Sequence, residues 1–141
     1  MPHDMTDLRG RVALVTGAGS ADGIGFAIAR MFHDAGATVV LTSTTNRIFQ
    51  RQNELDPERA RSLAVVADLT HPEQAAELVE QVMERFGHID ILVNNGGTIF
   101  RSPATEYPLA QWQNVLRVNL DASFLLCQQL GKTMVEQGSG K

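Results

Sequence analysis

Gly17, Gly19, Gly23 and Gly25 crowd into the stretch Thr16-Gly17-Ala18-Gly19-Ser20-Ala21-Asp22-Gly23-Ile24-Gly25. Residues without side chains let a backbone turn tightly and bring its N–H groups up to an anion. A helix that starts at the end of such a turn adds the positive end of its dipole. An apolar run lies before this stretch and a helical pattern after it, which is where a dinucleotide pyrophosphate sits between a strand and a helix. Gly17, Ser20, Gly23, Ile24 and Gly25 are the expected contacts. The bland alternative is a strand-to-helix turn with no ligand.

A second group of polar residues, Thr42-Ser43-Thr44-Thr45-Asn46-Arg47, follows the next apolar run. In a nucleotide-binding α/β unit this position meets the adenosine ribose, and an acidic residue there accepts from the free 2′-hydroxyl of NAD. No acid is present. Small hydroxyl donors and one cation suit a 2′-phosphate instead, so Ser43, Thr44 and Arg47 are assigned to NADP, with NAD the less favoured cofactor. Asp22 works against this reading, and Arg47 on its own could be a solvated residue at a helix start.

Other reactive residue types form no constellation. His3, His33, His71 and His88 are scattered without metal-ligand spacing, and Cys127 is the only cysteine, so neither a metal site nor an internal disulfide is expected. Tyr107 is the only tyrosine. The residue four positions later is Gln111, which has no charge to favour tyrosinate, so Tyr107 is not expected to act as a catalytic acid. Ser139 and Lys141 read as part of a polar tail or frayed terminus.

The elements that must position these groups alternate regularly. Apolar, β-branched runs at residues 11–16, 37–42, 62–67 and 89–94 read as buried parallel strands. Between them lie helical patterns. The first has an apolar stripe of Ile24, Ala27, Ile28, Met31, Phe32 and Ala35 before Gly36, and a weaker one spans residues 46–55. The clearest starts at Pro72 with a stripe of Ala75, Val79, Val82, Met83 and Phe86 and stops at Gly87. Beyond Pro103 and Pro108, helices are expected at residues 109–118 and 119–137. There the stripe Leu116, Leu120, Phe124, Cys127 and Met134 is read as the face packed on the sheet. Strand–helix alternation of this kind gives a parallel sheet with helices on both faces, a Rossmann-type doubly wound α/β fold. Residues 1–141 are expected to form one domain.

Bulk properties exclude other classes. The net charge of −4 and the absence of a basic run argue against nucleic acid as a partner. The apolar runs are far shorter than the roughly 20 residues of a membrane span. The polar, acidic opening lacks the form of a secretory signal, making the cytoplasm the default location.

Thr-Gly followed by a spaced Gly-Ile-Gly resembles the cofactor loop of the classical short-chain dehydrogenase/reductases. Five residues separate Gly17 from Gly23, where the family usually has three; Gly19, Gly23 and Gly25 alone also meet the usual spacing, so two loop paths are open. Asn94-Asn95-Gly96-Gly97 is close to the family's Asn-Asn-Ala-Gly, and Asp68-Leu69 resembles its adenine-contacting pair. Read alone, Asp68, Thr70 or His71 would cap the helix starting near Pro72. Val118-Asn119-Leu120 resembles the segment carrying the family's catalytic asparagine. The resemblance implies cofactor contacts at Asp68, Leu69, Asn95, Gly96 and Gly97. It gives Asn119 a relay role, its main-chain carbonyl holding a water that links a catalytic lysine to solvent. It also implies a small carbonyl or alcohol substrate and a homo-oligomer.

The serine and the Tyr-x-x-x-Lys that perform the family's chemistry lie after the next strand. The sheet is therefore expected to be truncated after its fourth strand, leaving that strand as an edge with unpaired backbone groups. The first hypothesis is an N-terminal part of an NADP-dependent oxidoreductase, in texture similar to 3-oxoacyl-thioester reductases. The second is a non-catalytic dinucleotide-binding or subunit-pairing module, and whether the chain by itself is an enzyme stays open. A methyltransferase-like reading would make the Asn94 and Asn119 contexts coincidences.

Overall fold

The computed structural model describes residues 7–141; the polar opening segment up to residue 6, with His3, lies outside the described residues. Four apolar runs form strands: β1 (Val12–Val15), β2 (Thr38–Ser43), β3 (Ser62–Val66) and β4 (Ile91–Val93). All pair in parallel, in the order β3-β2-β1-β4. Helices α1 (Ile24–Asp34), α2 (Arg47–Leu55) and α3 (Pro72–Phe86) make the crossovers, and α4 (Leu109–Leu116) and α5 (Ala122–Gln137) follow β4. This is the Rossmann-type arrangement. The chain runs outward from β1 to β3 and then returns to the other side of β1, so a topological switch point lies between β1 and β4.

Alternation along the strands divides the core in two. Val12, Leu14, Val40 and Val65 pack with Ala75, Leu78 and Val82 of α3 and with Leu126 and Leu130 of α5. Val15, Val39, Leu41 and Ala64 face Phe26 and Ala29 of α1 and Ile48 of α2. Gly36 and Gly87 end their helices as expected and Gly138 ends α5 in the same way, with φ of 98°, 75° and 72°, where a side chain would be strained. No helix among the described residues is long and apolar enough to cross a membrane.

Three expectations about packing need correction. On α1 the expected stripe holds in part: Ile28 and Phe32 pack against the core, but the fully buried side chains are Phe26 and Ala29, and Ile24 and Met31 are 73% and 71% exposed. Both faces of this helix carry large apolar side chains, so periodicity alone could not say which one meets the sheet. On α5 the stripe expected to be core is mostly outside, with Leu116, Leu120, Phe124 and Cys127 exposed and only Met134 packed against the core. Ala122, Leu126 and Leu130 are the buried set.

The run into α5 differs from expectation too. Instead of two helices meeting, one continuous run widens into a π turn at Arg117–Asp121, where the Ala122 N–H reaches back five residues to the Arg117 carbonyl. Leu116 before this turn and Phe124 after it are both exposed, so the run carries large apolar side chains on its outer face as well as its inner one, and spacing alone could not choose between them.

The third correction concerns the outer edge of β4. Lys141 donates its N–H to the Asp90 carbonyl at 2.9 Å and accepts from Leu92 N–H at 2.9 Å, the pattern of a parallel neighbour. The Gln137 side chain donates to the Ile89 carbonyl and accepts from its N–H, at 2.8 and 3.2 Å. The segment read as a frayed tail is therefore tied to the sheet, and these backbone groups of β4 are paired.

Candidate nucleotide site

At the switch point, two loops leave the carboxyl ends of β1 and β4 and lock together. Thr16, 2% exposed, ends β1, and its hydroxyl oxygen accepts from the N–H groups of Asn95 (3.0 Å) and Gly96 (2.8 Å). The Asn95 side-chain amide donates to the carbonyls of Thr16 at 3.1 Å and Gly17 at 3.3 Å. One residue of each loop thus satisfies the backbone of the other.

The glycines have distinct places in this junction. A Cβ on Gly17 would stand 2.7 Å from the Gly96 Cα, and one on Gly25 would stand 2.7 Å from the Gly17 carbonyl oxygen and 2.5 Å from the Asn95 amide nitrogen. Gly19 lies instead against Ser43 at the end of β2, where a Cβ would come within 2.9 Å. Gly17 and Gly25 are accordingly the close-packed pair. The residues between them are absorbed by a turn at 20–23, closed by the Gly23 N–H on the Ser20 carbonyl at 3.2 Å. α1 then begins with no side chain capping its N-terminus.

These loops wall a cleft of about 360 Å³ across the carboxyl ends of the strands. Of the residues singled out in the sequence, Gly17, Ser20, Ser43, Thr44, Arg47, Asp68, Leu69, Gly96 and Gly97 line it. Gly23, Ile24, Gly25, Asn95 and Asn119 do not; they lie behind or beside the lining. Among the described residues, Arg47 is the one cation in the wall and Asp68 the one carboxylate. The Arg47 Nε donates to the Thr45 hydroxyl at 3.3 Å, holding the cation beside the end of β2.

Asn114, Val118, Ala122, Ser123 and Leu126 also line the cleft, contributed by α4, the π turn and α5. Sequence reasoning missed them because only the fold over of this helical run brings it beside β1 and β4. Asn119 presents a different surface. Its side-chain oxygen accepts from Thr98 N–H at 2.8 Å and its amide donates to the Thr98 carbonyl at 2.9 Å, so both ends of the side chain are spent on holding the loop after Gly97. Tyr107 is likewise engaged, its hydroxyl donating to the Phe100 carbonyl at 3.1 Å.

Asp68 does not cap α3. Its carboxylate accepts from the Thr70 hydroxyl at 2.7 Å and the Thr70 N–H at 3.0 Å, while its own N–H donates to the Gln74 side chain at 2.8 Å. The Thr70 hydroxyl, followed by its N–H, holds the Asp68 carboxyl below the ordinary carboxylate range against the opposing effect of burial. A depressed carboxylate contributes stability at neutral pH that is lost as pH falls through its folded value, here below the usual aspartate range. Thr70→Val is expected to raise the Asp68 pKa toward the ordinary value, measured by NMR titration of the side-chain carboxyl. The accompanying stability change should be small, because the side chain is 43% exposed.

The arrangement fits a dinucleotide on this structure's own terms. Gly17, Gly19, Gly96 and Gly97 line the cleft, and a Cβ on Gly17 or Gly19 would come under 3 Å from protein atoms, so the wall there is bare backbone. The lining runs from the residues after β3 to those after β4 and includes hydroxyls and a cation after β2 and Val118, Ala122 and Leu126 from the helical run. Among the described residues no group of three or more His, Cys, Asp or Glu could hold a metal ion.

Comparison with known proteins agrees with this geometry. Residues 11–141 match the family model described as short chain dehydrogenase. The chain is 39% identical over 139 residues to the 2-dehydro-3-deoxy-D-gluconate 5-dehydrogenase of Bacillus subtilis, covering 99% of this chain and 54% of that protein. A short-chain type dehydrogenase/reductase from Mycobacterium marinum superposes with a TM-score of 0.89 at 31% identity, covering 96% of this chain and 53% of the other. A protein from Beutenbergia cavernae, provisionally assigned as an NAD(P)-dependent gluconate 5-dehydrogenase, superposes at a TM-score of 0.86 with 43% identity over the same shares and carries NADP at low occupancy. The chain therefore spans about half the length of the relatives it matches.

Proposed function

Because the chain belongs to the short chain dehydrogenase family, we propose that it supplies the NADP-binding part of an oxidoreductase acting on a small carbonyl or alcohol. The observation that carries this reading is the bare backbone junction of Gly17, Gly25 and Gly96, held by Thr16 and Asn95 at the switch point. Nothing in a strand-to-helix turn by itself requires a second loop to be clamped there.

In this reading the turn around Gly17, Ser20, Gly23, Ile24 and Gly25 receives the pyrophosphate, and Ser43, Thr44 and Arg47 hold the 2′-phosphate. Asp68 and Leu69 meet the adenine. Asn95 fixes the junction, and Gly96 and Gly97 form the wall toward the nicotinamide. A bound nicotinamide supplies the hydride that the reaction exchanges with a carbonyl carbon. Since Thr98 occupies both ends of the Asn119 amide, only that residue's main-chain carbonyl is left for a relay role. The exposed face of Leu116, Leu120 and Phe124 is where a second copy would pack.

The named relatives support a narrower substrate class. The Bacillus and Beutenbergia proteins are named for gluconate-type compounds, which favours a sugar acid over the 3-oxoacyl thioester that the sequence texture resembles. A second reading, a binding module without catalysis, draws on Tyr107, whose hydroxyl is committed to Phe100 and whose neighbour four residues on is Gln111.

Titrating NADPH and NADH into the purified chain, followed by nicotinamide fluorescence, tests the assignment. NADPH is expected to bind at least about tenfold more tightly, and Arg47→Ala to bring the two within about threefold by removing one charge-assisted contact. Equal binding by the unaltered chain, or preference for NADH, would reject the NADP assignment. Adding a keto sugar acid to the complex and following the loss of reduced nicotinamide separates an enzyme from the binding-only reading.

A further inference from the structure

Asn95-Gly96 is the only Asn-Gly pair in the chain, and it lies at the centre of the junction between the β1 and β4 loops. The pair has a chemistry of its own. A deprotonated backbone nitrogen attacks the side-chain carbonyl carbon of the asparagine before it most readily when it belongs to glycine, which has no Cβ in the way and a backbone free to turn. Residue 96 is also where this chain departs from the Asn-Asn-Ala-Gly pattern, so the reactive pair is a feature of this sequence.

The fold holds both reacting groups. The Gly96 N–H donates to the Thr16 hydroxyl at 2.8 Å. The Asn95 side-chain amide donates to the Thr16 carbonyl at 3.1 Å and the Gly17 carbonyl at 3.3 Å. Ring closure requires the amide to turn onto its own main chain and the Gly96 nitrogen to give up its proton, so these bonds oppose it. Water has access to the site, since Asn95 and Gly96 are half-buried and Asn94 and Gly97 on either side are exposed.

We propose that Asn95-Gly96 is a deamidation site kept unreactive by its bonds to Thr16 and Gly17, and that opening of the junction lets it convert irreversibly. In the open loop the Gly96 nitrogen passes its proton to solvent and bonds to the Asn95 Cγ. The Cγ–Nδ2 bond then breaks, and ammonia leaves after taking up a proton from solvent. Water opens the resulting cyclic imide at either carbonyl, giving aspartate or isoaspartate at position 95 with no change of oxidation state. Neither product rebuilds the junction. A carboxylate has no N–H for the Thr16 and Gly17 carbonyls and sets negative charge against them, and isoaspartate lengthens the main chain just before Gly96.

The test is incubation of the full chain at mildly alkaline pH, in buffer and in guanidinium chloride, with the peptide carrying Asn95 followed by mass spectrometry and isoaspartate assay. The folded chain is expected to react at least about tenfold more slowly than the unfolded one, because reaction through an open state scales with the population of that state. Thr16→Val removes the Gly96 acceptor and should raise the folded rate at least about fivefold, while Thr16→Ser should stay within about twofold of the unaltered chain. Gly87→Ala weakens the protein away from the junction and should also stay within about twofold, which separates local opening from global unfolding. A thermal melt establishes that each variant is folded during the incubation. Gly96→Ala should slow the reaction in guanidinium chloride. Equal rates in the folded and unfolded chain, no acceleration in Thr16→Val, equal acceleration in Gly87→Ala, or an unchanged unfolded rate in Gly96→Ala would each overturn the inference.

Discussion

Gly17→Ala is expected to cost about 2–4 kcal/mol of folding stability and to remove measurable NADPH binding. Gly17 sits at φ 66°, in the left-handed region, where a Cβ alone costs about 1–2 kcal/mol. Its Cβ would also stand 2.7 Å from the Gly96 Cα and 2.9 Å from the Gly96 nitrogen. Both are backbone atoms of the β4 loop, so relief requires moving the loop and breaking its bonds to Thr16 and Gly17. Overpacking of this kind adds about 1–3 kcal/mol.

Gly87→Ala is the matched control. That residue holds φ 75° but has nothing within 4 Å of a Cβ, so it carries the conformational cost alone. Urea unfolding of the two variants separates the terms. Should they lose equal stability, the Gly17–Gly96 contact contributes nothing, and the picture of two interlocked loops is wrong.

Thr16→Val should destabilise the protein by about 1–3 kcal/mol and loosen the β4 loop. The valine is nearly isosteric, but it removes the acceptor that the Asn95 and Gly96 N–H groups share; Asn95 keeps the Val93 carbonyl at 3.1 Å, whereas Gly96 loses its acceptor, and an unsatisfied buried donor costs about 1–3 kcal/mol. Thr16→Ser keeps the acceptor and should lose no more than about 1 kcal/mol, the worth of the missing methyl. Amide hydrogen exchange provides the local readout. Exchange at Asn95 and Gly96 is expected to accelerate in the valine variant and not in the serine variant; unchanged protection in both would mean that other contacts hold the loop.

The two variants probe the same junction from opposite sides, one by crowding it and one by removing its hydrogen bonds. Their effects should not add, because residues that share partners couple. The double variant is expected to be less destabilised than the sum of the singles, since the loop displaced by Gly17→Ala no longer offers its N–H groups to Thr16.

Much of this architecture was legible in the residues themselves, wherever the signal was local. The apolar runs of β1 to β4 were readable because parallel strands buried on both faces need uninterrupted apolar side chains. Gly36 and Gly87 marked helix ends because only glycine takes a left-handed cap without strain. The crowded glycines announced a tight turn for the same reason, and the absence of an acid after β2 was a matter of charge.

What only the tertiary structure decided are the choices between equivalent local options. Whether Phe26 or Ile24 faces the sheet, and whether Leu126 or Phe124 does, could not be counted from helices apolar on two sides. The hydrogen bonds joining Thr16 to Asn95 and Asn119 to Thr98 span 79 and 21 positions, and no spacing rule encodes a partner at such distances. Thr42 and Ser43 look alike in sequence; the pleat of β2 buries the first at 1% exposure and leaves the second half-buried. Sequence periodicity reports which residues can share a face, but the burial of one face over another is settled by the free energy of the whole packed sheet.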